Sequence, residues 1–349
     1  MGNGSNMGYV LPSTCDCVLT NEYLCFFDNS IKALCKADLK SHSLDVIESY
    51  DKNDFSLSKR ILMMNQYFVM QNNYNAELLL FDRDTHKYKF YESVVIGENM
   101  YNMLQSGNSI YLVPLHWNGC YLCFDVNLKK FHKCNPKAET IRRGELIFRP
   151  FVVNDCILFP AQDNTFLYKL CLENGKTQTI PLPCDTKPYI AIGDDSETWF
   201  LEKDARYICR FDKCPIKIDI PKAEYGSIKL LTEHICLMPK GKADIVIISR
   251  DDFIVHVIHI NDYYSAEDAH MRYSNTTGYV NCVESDEYIY FIPNGFGKMI
   301  RVNKTDYSTE ECSFWSDEYR KRKRRLLFGD SNVIFENSKD SLKQFLTIV

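Results

Sequence analysis

The stretch SIYLVPLHWNGCYLCFDVNLKKF occupies Ser109–Phe131. Its first part, SIYLVP, is apolar with a polar start. Its middle is a loop that carries His116 and Trp117, and its last part, YLCF, is apolar again before Asp125. Short runs rich in β-branched and aromatic residues, bounded by Gly, Asn and Pro, read as strands. The segment is therefore two strands and the loop between them.

The same arrangement recurs along the chain. Positions equivalent to Tyr111 are Cys25, Phe68, Ile157, Trp199, Cys236, Tyr290 and Ile334, at steps of 37 to 54 residues. A second column lies 13 or 14 positions further on: Asp38, Asp82, Asp125, Cys171, Asp212, Ser249, Asn303 and Thr347. Asp, Asn, Ser and Thr suit turns because their side chains bond nearby backbone amides. At Cys171 the following Asn174 and Gly175 supply the turn. An apolar run precedes every first-column residue (CVL, ILMM, YNML, FVV, YIAI, IKLL, VNCV, LLF), and most units have another after the turn. Each unit thus holds four strands, a to d, which is the make-up of a propeller blade.

Over nearly its whole length the chain resembles β-propeller repeat proteins, and its IYFIP and LxxFD words are similar to those of bacterial propellers of undefined function. The Gly-His and Trp-Asp pairs of WD repeats are missing, as is the Gly-Gly doublet of kelch repeats. The expected fold is all-β: an eight-bladed β-propeller of four-stranded blades. Seven blades is the alternative if one unit is misread, the steps of 37 and 54 being the irregular ones. The eighth unit stops at Val349, where its strand d should begin. Met7–Leu11 (MGYVL) has the length and pattern of that strand. It is expected to complete the last blade and close the ring, which removes open edges. Residues 7–349 then form a single domain, with residues 1–6 a cloning scar or loose tail.

The composition is that of an ordinary globular chain of 349 residues, 45% hydrophobic and 25% charged. A net charge of −5 provides no global attraction to nucleic acid or anionic membrane. No apolar run approaches the roughly 20 residues of a membrane span, and the N-terminus lacks signal-peptide features. The expected location is the cytoplasm. The 15 cysteines mostly sit inside strand-like runs, as reduced structural thiols. Cys120 and Cys123 form a C-x-x-C, but residues three apart on a strand face opposite ways. No metal site and no cofactor are expected.

In a propeller the b–c and d–a loops share one face around the mouth of the central channel. Pro114–Gly119 is a b–c loop, with counterparts at 71–75, 161–165, 202–206, 239–242, 293–298 and 337–340. These loops differ while the strands are alike, the usual division between recognition and scaffold. Tyr74, Trp117 and Phe296 are candidates to stack on a sugar ring or grip a peptide side chain; otherwise they cover the blade ends. His116, Asn164, Arg206 and Lys298 are candidate hydrogen-bonding groups. The basic run Arg320, Lys321, Arg322, Lys323, Arg324 and Arg325 should reach the same face, as a phosphate or acidic-partner patch or as a solvated loop. The long connection 262–278 is a candidate lid.

Catalytic signals are weak. Gly193–Trp199 (GDDSETW) resembles a degraded sialidase-type Asp box, but it falls between strands a and b, the wrong turn for that motif. His256 and His259 lie on opposite faces of a strand. Loop acids Asp163, Glu202, Asp204 and Asp340 could converge for glycosidic chemistry, although nothing in their spacing requires it. The expected function is a non-catalytic binding or scaffold module that recognises a peptide, protein or glycan through the b–c and d–a face. The alternatives are a carbohydrate-active hydrolase or lyase and a structural partner in a larger complex. Membrane is not an expected partner, and nucleic acid is not favoured.

Overall fold

In the computed structural model, β2 (Tyr23–Asp28) turns Leu24 and Phe26 toward one neighbouring sheet and Cys25 and Phe27 toward another. This is the period-2 alternation of a strand with both faces covered. The structure describes residues 16–20, 22–28, 31–49, 57–72, 76–93, 101–136, 140–161, 165–182, 188–202, 205–211, 216–240, 243–260, 263, 279–293, 298–314, 316–319 and 321–322.

The described strands form seven four-stranded antiparallel sheets, each a meander of consecutive strands. The second strands are β2, β6 (Tyr67–Asn72), β10 (Ser109–Pro114), β14 (Cys156–Pro160), β18 (Thr198–Leu201), β22 (His234–Pro239) and β26 (Tyr288–Pro293). Each contains one residue of the first sequence column, from Cys25 to Tyr290. The first strands line the axis: β1 (Cys17–Leu19), β5 (Leu57–Met64), β9 (Tyr101–Ser106), β13 (Phe151–Val153), β17 (Ile190–Gly193), β21 (Tyr225–Leu230) and β25 (Tyr279–Glu284).

Strand b is buried along nearly its whole length, as in Cys156–Pro160, whereas strand d is mostly exposed, as in β8 (Lys87–Glu92) and β12 (Lys130–Cys134). The core is therefore a set of seams between blades. Seven hydrophobic clusters fill them, one for each adjacent pair. The seventh joins Tyr290 and Ile292 of the last blade to Leu24, Phe26 and Cys35 of the first.

That seam corrects the blade count. The chain is a seven-bladed β-propeller, and the first and seventh blades touch, so no gap remains for an eighth. The run around Ile334 has the composition of strand b, which is why it reads as a further unit. It lies outside the described residues, as do Thr347, Met7–Leu11 and the proposed strand that would complete an eighth blade.

The second sequence column marks the turn between strands c and d. Asp38 Oδ1 accepts from the amides of Lys40 and Ser41, Asp82 Oδ1 from Asp84 and Thr85, Asp125 Oδ1 from Asn127 and Leu128, and Asn303 Oδ1 from Thr305 and Asp306. In the fourth blade Asn174 Oδ1 accepts from Lys176, and Gly175 is left-handed with φ 66°. Four positions after the column residue the backbone is left-handed in every described turn of this set: His42, His86, Lys129, Gly175, Phe253 and Tyr307.

After the seventh blade the chain crosses the closing seam. Ser316 Oγ accepts from the amide of Tyr319 at the start of a short helical stretch, residues 317–319 and 321–322. Serine is a favoured helix cap because it satisfies an amide with no partner in the helix. Within this stretch Arg322 pairs with Glu318 at 2.7 Å and Lys321 is exposed. The basic run therefore begins as a capped helix rather than a loop. Arg320, Lys323, Arg324 and Arg325 lie outside the described residues.

Candidate functional site

The first strands surround a central cavity of about 1320 Å³. Its charged and amide side chains come from few positions. Asp16 directly precedes β1, the first described strand, and Arg149 lies in the d–a connection before β13. Arg60 projects from β5, Lys229 from β21, Asn102 from β9, Asn281 from β25 and Gln71 from the end of β6.

Asp16 organises one side of this wall. Its carboxylate accepts from the amides of Cys17 at 3.0 Å and Ile61 at 3.1 Å and from the Asn281 side-chain amide. Burial raises its pKa, although Lys229 and Arg60 pull the other way. Arg60 is itself held down by burial, opposed by Asp16, and donates to the Met103 carbonyl at 2.9 Å. Arg149 is brought down to about 10 by burial; Tyr189 opposes this and the charge of Arg60 adds to it. Its backbone is left-handed, φ 49°, a conformation that costs about 1–2 kcal/mol for a residue with a side chain. Its guanidinium lies 5.0 Å from the Phe148 ring centre.

At the opposite end of the channel ion pairs tie a–b turns to the c–d turns of neighbouring blades. Arg250 bridges from the sixth blade to Asp194 at 2.8 Å and Glu197 at 2.7 Å in the fifth. Asp194 also accepts from the Ser196 and Glu197 amides, so GDDSETW is a turn and blade tie between β17 and β18, as its position implied. Lys304 of the seventh blade reaches Glu233 at 2.6 Å and Glu284 at 3.7 Å. Glu233, His234 and Glu284 bring ligand-type atoms within 4.8 Å of one another. The Lys304 ammonium already supplies the cation there, and burial lowers the His234 pKa.

The anticipated loop residues have mixed fates. Trp117 is 1% exposed and packs in the seam between blades three and four with Val113, Ile147 and Phe159. Its loop pairs with the following d–a connection: the amides of Trp117 and Gly144 donate to Glu145 and Trp117 carbonyls. A buried indole presents no face to a ligand, so Trp117 caps the seam, and the stacking role expected of it is corrected. His116 and Arg206 are exposed. Lys298 pairs with Glu311 at 2.5 Å. Tyr74, Asn164 and Phe296 lie outside the described residues, with most of the b–c loops and of the 262–278 connection. Of the four loop acids only Glu202 is described, and it accepts from Tyr207 Oη at 3.4 Å. The described cysteines are all free. Cys120 lies just outside the strand that holds Cys123, β11 (Tyr121–Asp125).

Sequence reading overlooked the channel residues. Lys229 sits inside the apolar word IKLL and Arg60 directly precedes ILMM, words that serve only to define strand a. A cation on an axis-lining strand was the available signal.

No protein-family model and no curated protein matches the chain. Solved structures do match. A catalytically inactive H270A virginiamycin B lyase from Staphylococcus aureus, with quinupristin, aligns at TM-score 0.61 and 13% identity, over 85% of this chain and 97% of that one. The extracellular domain of the putative one component system BT4673 from B. thetaiotaomicron aligns at 0.59 and 13%, over 84% and 39%. The dihydro-heme d1 dehydrogenase NirN aligns at 0.55 and 10%, over 83% and 63%. At such identities the likeness establishes the β-propeller fold alone, since one fold hosts unrelated chemistries. No helix among the described residues is long and apolar enough to cross a membrane.

Proposed function

We propose that this chain is a non-catalytic recognition module that receives part of a peptide, protein or glycan at the b–c and d–a end of its channel. One observation carries the reading: a cavity of about 1320 Å³ whose described acids are all engaged in holding the scaffold. Asp16 binds two backbone amides and Asn281, Asp194 binds Arg250, and Glu284 accepts from the Thr232 amide. A rigid wall of short strands also keeps the ordering cost of binding low. The free, buried thiols support a reducing compartment such as the cytoplasm.

A second reading, a hydrolase or lyase, is favoured by Asp16 alone. A carboxyl raised by burial beside a cleft fits a general acid. The test is a screen of glycans and peptides against the pure protein, with each bound ligand recovered after long incubation and weighed by mass spectrometry. Intact ligand supports recognition. Cleaved ligand, with cleavage lost in a folded Asp16→Asn variant, replaces it with the enzyme.

A further inference from the structure

Among the described residues four cations and three carboxylates line the channel, but they are not evenly committed. Arg250 is used by Asp194 and Glu197, and Glu284 lies beside Lys304. Among the described lining residues this leaves three cations, Arg60, Arg149 and Lys229, and one carboxylate, Asp16, which Arg60 and Lys229 influence directly, in a protein whose overall charge is −5. Among the described residues neither Arg149 nor Lys229 makes an ion pair or a side-chain hydrogen bond. Like charges in a cavity walled by Leu62, Met103 and Ile190 repel more strongly than in water. An uncompensated charge in such a place is costly unless a counter-charge arrives.

A further donor points the same way. Gln71 is 1% exposed, lines the cavity, and has no hydrogen-bond partner for its side-chain amide nitrogen. Buried donors without acceptors are uncommon, and each asks for an explanation. Two guanidinium groups, an ammonium and an amide N–H are all donors, so the missing partner must be an acceptor with negative charge. Guanidinium forks match the paired oxygens of carboxylates and phosphates.

We infer that the channel binds an oxyanion, a carboxylate or phosphate group of the ligand, between Arg60, Arg149 and Lys229 with Gln71 as a further donor. The inference rests on the recognition reading and specifies which part of the ligand enters deepest. A polypeptide C-terminus, an acidic sugar and a phosphate ester all present this chemistry.

The experiment is calorimetric titration of the full chain with three probes at constant ionic strength: inorganic phosphate, citrate and a neutral trisaccharide. Wild-type protein should bind phosphate or citrate saturably and more weakly as salt rises. Arg149→Gln and Lys229→Gln should each weaken binding about tenfold, the usual loss for one charge-assisted contact. Circular dichroism confirms that each variant is folded, and Lys40→Gln, on the exposed c–d turn of the first blade, should bind as wild type does. No saturable anion binding by wild type, or equal affinity in the Arg149 and Lys229 variants, overturns the inference. The two proposals fail separately. A neutral ligand bound equally by wild type and Arg149→Gln leaves recognition standing and removes the anion. Chemical conversion of an anionic ligand that needs Arg149 does the reverse.

Discussion

Tyr319 and Asp28 lie 291 residues apart in sequence, and the Tyr319 hydroxyl donates to Asp28 Oδ2 at 2.5 Å. Both are buried, Asp28 completely. The Asp28 carboxylate also accepts from the Ile31 amide at 3.2 Å. Burial and the neighbouring Asp28 push the phenol pKa far above its usual value, so the hydroxyl keeps its proton. The bond pins the segment after the seventh blade onto the first, across the seam that completes the ring. His42 Nδ1 and the Ser313 carbonyl meet across the same seam at 3.2 Å.

Tyr319→Phe keeps the ring in place and deletes only the donor. The expected loss is about 1–3 kcal/mol, the cost of leaving a buried acceptor short of a partner. A urea titration that gives a lower midpoint with an unchanged slope is the supporting result. An unchanged midpoint would show that this latch contributes nothing to closure.

Trp117→Ala should behave as a core mutation. The indole is enclosed by Val113, Tyr121, Ile141 and Phe159, and truncation of a buried Trp costs about 3–5 kcal/mol. Thermal and urea melts should both show it. A variant that melts like the wild type while losing a ligand would return Trp117 to the recognition surface.

The architecture was legible because each blade buries strand b on both faces. Cys25, Phe68, Tyr111, Ile157, Trp199, Cys236 and Tyr290 all fall on that strand, and the Asp and Asn residues of the second column make the turns their side chains suggest. The blade number was not legible. It is set by which sheet Leu24 and Phe26 meet, a contact between chain ends that no local pattern encodes. The channel was obscured because Lys229 stands within an apolar strand word, Arg60 directly precedes another, and Gln71 reads as the start of a b–c loop. Trp117 could be read as a stacking face or as a blade-end cover, and the fold back of residues 140–147 that makes it a cover is not encoded in its own loop.

The left-handed turn positions were equally hidden. Only Gly175 among them is a glycine; the others include His42, His86 and Lys129. A side chain in that region costs about 1–2 kcal/mol, and glycine offsets part of the relief through its freer unfolded chain. His86→Gly should therefore stabilise the protein by about 0.5 kcal/mol, even though it removes the ring contact with Phe81. His86→Val should destabilise it, because a β-branched residue fits that conformation worst. Equal urea midpoints for the two variants would show that the turn is relaxed.

The same turns predict an acid response. The Asp38 carboxyl is held below its usual value by the Ser41 and Lys40 amides, and Asp82 by the Thr85 amide, with burial opposing slightly in each. In the unfolded chain both titrate near 4. The unfolded state therefore takes up the proton first as pH falls. The stabilisation is complete above about pH 5, declines through the unfolded value and is gone below the folded one. Asparagine keeps the acceptor oxygen and cannot titrate, so Asp38→Asn and Asp82→Asn should lose less stability than wild type between pH 7 and about pH 3. Urea midpoints at the two pH values give the comparison. Parallel losses in wild type and both variants would mean that other carboxylates control acid unfolding.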